Sequence, residues 1–163
     1  KSLFNDVVFP EGKLSEDFFV SYQIMYKAKS VYYDPKPLYF YRQRYGSISR
    51  GAKINYDLIE ASDNQLYFFL KNCPSLRYLG ETTSAFTRIA IVNEYIQRGM
   101  PLSSLRENKL YVRKHIISIL LNRYISAVKK LQACVVATSL FVYKIFFIKF
   151  SERGRLQKKQ NDI

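Results

Sequence analysis

A chain of 163 residues is long enough for a compact domain with its own core, and an apolar share of 48% excludes intrinsic disorder. The formal net charge of +13 is uneven: residues 1–100 carry 13 basic and 10 acidic side chains, whereas residues 101–163 carry 13 and 3. Such a surplus points to an anionic partner, either membrane lipid or nucleic acid. Cys73 and Cys134 fit no metal-ligand spacing and the single His115 cannot complete a site, so two reduced thiols in a cytoplasmic protein are the expected state.

The chain opens without a signal-peptide pattern, and its first apolar residues (Leu3, Phe4, Val7, Val8, Phe9) read as the continuation of a longer protein. Phe4, Val7 and Phe9 are therefore expected to be exposed or paired with another copy, as in a homodimer. Pro10-Glu11-Gly12 is a turn signal, and Leu14–Ala28 reads as a helix with Phe18, Phe19, Tyr22, Ile24 and Met25 on its apolar side. Ser30–Asp34 reads as a short strand ended by Pro35, and Leu38–Arg42 as a second one that Pro37 can only start. Arg44–Gly51 has the composition of a mobile loop.

Beyond residue 52 the period becomes helical. Ile54, Leu58, Ala61, Leu66, Phe69 and Leu70 suit one helix closed by Cys73-Pro74, and Phe86, Ile89, Ala90, Asn93 and Ile96 suit another closed by Gly99 and Pro101. Leu105 to about Ile125 and Ala127 to about Phe150 predict two more helices or one bent helix, and the polar last dozen residues should fray. Leu131–Ile148 is apolar, but Gln132, Lys144 and Lys149 argue against a full membrane span. A buried bundle helix and a membrane-surface helix are both compatible with it.

The stretch Phe9-Pro-Glu-Gly-Lys-Leu-Ser-Glu-Asp-Phe18 concentrates the chemistry. Ser15 is placed to cap the following helix, and Glu16 and Asp17 then sit in the first turn, where the helix dipole favours negative charge. That alone accounts for the acids. Adjacent side chains on a helix face different ways, so the pair cannot flank one glycosidic bond as a glycosidase requires. A single ionised carboxylate can still act as general base toward one hydroxyl.

Phe9-Pro-Glu-Gly-Lys…Ser-Glu-Asp-Phe18, then Ala28-Lys-Ser-Val-Tyr32, then Pro37-Leu-Tyr-Phe-Tyr-Arg-Gln-Arg-Tyr-Gly-Ser-Ile48 together resemble the end of the catalytic domain of bacterial family-2 glycosyltransferases, which build capsule, exopolysaccharide and wall polymers. The likeness covers about residues 3–50, less than a third of the chain. It implies that Asp17 is the catalytic base, with Glu16 its structural neighbour, and that Arg42, Arg44 and Ser47 meet the diphosphate leaving group. An alternative assignment gives the arginines only the task of keeping an edge strand soluble. Lys13 is a weaker candidate for lining the site.

The resemblance further implies a nucleotide-sugar donor, a glycan or lipid-linked acceptor, inversion at the anomeric carbon, and a divalent metal (Mg or Mn) in the full-length enzyme. The family's metal-binding Asp-x-Asp motif does not occur in these 163 residues. This chain is thus expected to bind no metal and to transfer no sugar by itself. The fold expected is an α/β fragment, predominantly helical. Residues 1–51 would form the C-terminal edge of a GT-A-like catalytic domain, a short helix plus two or three short strands; residues 52–163 would form a helical C-terminal domain able to associate with membrane. The expected location is cytoplasmic or peripheral on the inner face of the cell membrane. Two other accounts compete: a basic helical binding module for anionic membrane or nucleic acid, and a scaffold for oligomers. The basic residues after 100 alternate with long apolar stretches, and no helix-turn-helix, zinc or stacking motif appears, which argues against nucleic acid.

Overall fold

A computed structural model describes residues 2–40, 42 and 53–149. The chain divides into two compact units, within Lys1–Gln65 and within Leu66–Ile163.

In the first unit, a 3-10 turn (Ser2–Phe4) and two tight turns lead to α1 (Glu16–Lys27). Gly12 has a φ of 71°, which the turn after Pro10 needs and glycine adopts without strain. Phe19 and Val20 of α1 close on Ala61 of α2 (Asp57–Asn72), with Val7, Phe18 and Ile24 packed around them. Val7 is therefore part of the core, whereas Phe4 and Phe9 are exposed, and so is Met25 on α1. Ser15 does not cap α1 with its side chain: its backbone is left-handed (φ 58°), its carbonyl accepts from the Phe18 amide (3.0 Å), and its hydroxyl accepts from Asn55.

The expected strands are not there. Residues 31–40 carry no regular secondary structure, and no strand occurs among the described residues. A strand exists only through a neighbouring strand that takes its N–H and C=O groups, and among the described residues there is none; Pro35 and Pro37 remove two donors besides. Within it the chain turns where Asp34 Oδ1 accepts from the Lys36 amide (3.0 Å). Its aromatics face solvent, Phe40 being 95% exposed. The described chain is predominantly helical, and the edge of an α/β sheet is not part of it.

α2 starts where Asn55 Oδ1 accepts from the Asp57 amide (3.1 Å), with Asp57 and Glu60 in its first turn, and stops before Pro74, which cannot donate to a continuing helix. The second unit is organised around α3 (Arg77–Gln97), which packs against α4 (Arg106–Lys114), α5 (Ile116–Leu121) and α6 (Ala127–Thr138). Ile89, Ile91, Val92, Leu105, Val112, Ile119 and Val136 form its interior. α3 buries more of its circumference than a single apolar stripe would suggest, yet Ala90, expected inside, is exposed. It ends at Gly99 (φ 66°), where the Met100 amide reaches the Tyr95 carbonyl (2.9 Å) and the Gly99 amide that of Ile96 (3.2 Å), the paired bonds of a Schellman stop. His115 separates α4 from α5, and extended Ser139 separates α6 from α7 (140–149). Cys73 and Cys134 are free thiols. Among the described residues, no helix is long and apolar enough to cross a membrane.

Candidate functional site

The loop that delivers Glu16 and Asp17 is pinned to the start of α2. Lys13 Nζ donates to Asp57 Oδ1 (3.2 Å) and Glu60 Oε2 (2.6 Å), the Leu14 amide donates to Asp57 Oδ2 (2.9 Å), and Asn55 Nδ2 donates to Ser15 Oγ (3.1 Å). The Leu14 amide first, and then the Lys13 ammonium, hold the Asp57 carboxyl below its ordinary range; Glu60 first and Asp57 second raise Lys13. Four consecutive contacts thus fix the backbone immediately before α1. Lys13, read as a weak candidate for lining a site, is occupied as the clamp of this loop.

Glu16 and Asp17 emerge from that loop exposed, in the first turn of α1, and neither carboxylate has an ion pair or hydrogen bond among the described residues. Arg42 is also exposed, and no ion pair joins it to another described residue. Arg44 and Ser47 lie outside the described residues. Among the described residues singled out by sequence, Glu16 and Asp17 lie together in the first turn of α1. The clamp residues Asn55 and Asp57 escaped the sequence reading. Their signal was present as an Asn-x-Asp placed two residues ahead of a helical period, the pattern of a capped start.

A second polar cluster lies inside the Leu66–Ile163 unit. The Glu81 carboxylate, 7% exposed, accepts from Arg77 Nε (2.6 Å) and from the Ser118 hydroxyl, and faces His115 Nδ1 at 3.5 Å. Burial works to raise Glu81, but the hydrogen bonds from Ser118 and Arg77 and the nearby positive charge outweigh it and hold the group below its ordinary value. Burial lowers His115, and Lys114 and Arg77 add to that against the pull of Glu81. The Tyr111 ring lies against His115, tilted by 39° with centroids 4.5 Å apart, and carries the Arg88 guanidinium on its face at 3.6 Å. The Ser118 hydroxyl is turned to the carboxylate and the imidazole faces that same carboxylate, so serine and histidine are not arranged as nucleophile and base. The cluster ties α3 to α5.

Two open depressions are found in the same unit, about 340 Å³ beside Arg113, Ile116, Cys134 and Ala137 and about 220 Å³ beside Cys134, Val135 and Val142. Neither includes Glu16 or Asp17. Among the described residues, no three His, Cys, Asp or Glu side chains are grouped to hold a metal ion, and Asp57 and Glu60 are both paired with Lys13. Comparisons with protein-family models, curated proteins and solved structures found no match.

Proposed function

We propose that this chain supplies the acceptor-activating base of an inverting glycosyl transfer, and that Asp17 is that base. The observation that carries the proposal is the contrast between the first-turn acids and those of α2: Asp57 and Glu60 are consumed by Lys13, while Asp17, beside Glu16, is presented to solvent just after the loop that this clamp pins, and the motif match selects Asp17 of the two. A base needs both properties, access to the incoming hydroxyl and a fixed position from which to meet it. The motif order that resembles family-2 glycosyltransferases supplies the reaction.

In that reaction an acceptor hydroxyl on a glycan or lipid-linked sugar gives its proton to Asp17 while its oxygen bonds to the anomeric carbon of a nucleotide-sugar. The bond from that carbon to the diphosphate breaks with inversion, and the nucleoside diphosphate leaves with the electron pair. Arg42 is the described residue suited to the leaving charge, with Arg44 and Ser47 following it in sequence. Glu16 keeps the first turn acidic beside the base. The chain has no Asp-x-Asp, so the donor site belongs to other residues and these 163 alone should transfer nothing. A cytoplasmic setting follows from the donor class.

The test is a donor screen. The polypeptide encoded by the complete reading frame is incubated with a panel of uridine-, guanosine- and thymidine-diphosphate sugars, and nucleoside diphosphate release is recorded beside the 163-residue chain. Release by the first and none by the second is expected. Turnover by the 163-residue chain as sole protein, or silence of the complete polypeptide with every donor and acceptor fraction, overturns the reading.

A further inference from the structure

The geometry points to α7 as the element that lays the second unit on an anionic lipid bilayer, a role that stands apart from the base assigned to Asp17. α7 is held in one orientation. Tyr143, 4% exposed, turns inward, where its hydroxyl donates to Asn93 Oδ1 (2.6 Å) and accepts from Gln132 Nε2 (2.6 Å). With that side fixed, the outward arc carries Phe141 (70% exposed), Val142, Ile145, Phe146 (51%) and Ile148, residues whose spacing places them on one helical face. Half of this ten-residue helix thus shows large apolar side chains to solvent, the reverse of what an ordinary surface helix presents.

Charge identifies the occupant. Between residues 108 and 151 the chain has eight Lys and Arg and no Asp or Glu. Lys149 falls within the apolar arc, and Lys144 lies at its flank. An apolar face edged by lysines and free of acids matches a bilayer whose headgroups are negative and whose interior is hydrocarbon. Nucleic acid would set the Phe and Ile side chains against phosphates. A second copy of the chain would bring two basic stretches together. At about 1.5 Å per residue α7 is roughly 15 Å long, half the thickness of a hydrocarbon core, so it lies in the interface and does not span it.

The chain contains no tryptophan, which makes one substitution a clean reporter. The 163-residue chain is sedimented with phosphatidylcholine vesicles with and without phosphatidylglycerol, over a range of salt. Expected are binding that requires the anionic lipid and weakens with salt, at least about tenfold weaker partitioning for F141S/F146S, and about fivefold weaker partitioning for each of K144Q and K149Q. In F146W, emission should shift to the blue on vesicle addition and be quenched by lipids brominated along the acyl chain. That readout does not depend on the double variant, whose retained helicity is checked by circular dichroism. Undiminished binding by a folded F141S/F146S, or an unshifted F146W emission in vesicle-bound protein, overturns the assignment. So does a stable dimer that this pair of substitutions dissolves in the absence of lipid, or binding to DNA in preference to anionic vesicles.

Discussion

In the second unit, Gly80 of α3 sits directly against Leu66 and Phe69 of α2. An alanine methyl there would stand 3.0 Å from Cα of Leu66, 3.0 Å from its Cδ1 and 3.2 Å from Cδ2 of Phe69. Carbon atoms rest at about 3.5–4.0 Å, so the methyl is tight and its neighbours must give by a few tenths of an ångström. The leucine and phenylalanine tips can rotate, but Cα of Leu66 moves only if α2 moves with it. Overpacking of this kind costs roughly 1–3 kcal/mol, and alanine recovers about 1 kcal/mol through its better helix propensity. G80A should therefore lose about 1 kcal/mol. Valine adds two further carbons at the same point and recovers less propensity, so G80V should lose about 3 kcal/mol. Urea unfolding followed by far-ultraviolet circular dichroism measures both, with an unchanged denaturant slope as the sign that only stability moved. If both variants equal or exceed the parent, α2 and α3 do not meet at Gly80 and the packing argument fails.

Three further outcomes follow from the same structure. Y143F removes a buried hydroxyl shared by Gln132 and Asn93, leaving two polar groups short of a partner; a loss of about 1–3 kcal/mol is expected, seen as a melting temperature lower by several degrees. Acidification should destabilise the second unit in two steps. Burial holds His115 below its ordinary value of 6.5, so the unfolded chain takes up that proton first and stability falls as pH drops below about 6.5; Glu81, also held below its ordinary 4.5, adds a loss below about pH 4.5. Melting temperatures from pH 8 to 4 should show the first step in the parent and not in H115N, and a flat parent profile would remove its basis. D57A deprives the Leu14 amide of its acceptor, and hydrogen exchange at that amide should accelerate while exchange in α3 stays unchanged.

α2 and α3 were legible because each carries its own period and stop, Cys73-Pro74 ending α2 and Gly99 ending α3; the breaks at His115 and Ser139, which divide the two expected later helices into four, have no Pro or Gly to announce them. Segments 30–34 and 38–42 were misread because strand composition describes a residue's liking for a pleated surface and says nothing of whether a neighbouring strand exists to make one. Ser15 was assigned a helix cap on its type alone, but Asn55, forty residues away, takes its hydroxyl. Likewise the acids of the first unit could be counted but not sorted. Only the fold reveals that Lys13 reaches Asp57 and Glu60 while leaving Asp17 exposed. For residues 131–148 the sequence left burial and membrane contact open, and the answer is divided: α6 buries Ala133 and Val136, whereas α7 turns five large apolar residues outward.

The measurement that bears most directly on the proposed chemistry is the turnover number of the complete polypeptide carrying D17N. Asparagine keeps the shape of the side chain and cannot accept the acceptor's proton. A fall in kcat of about 10³-fold is expected, with the donor KM little changed and partial recovery in D17E. A D17N enzyme that transfers sugar at the parent rate contradicts the account.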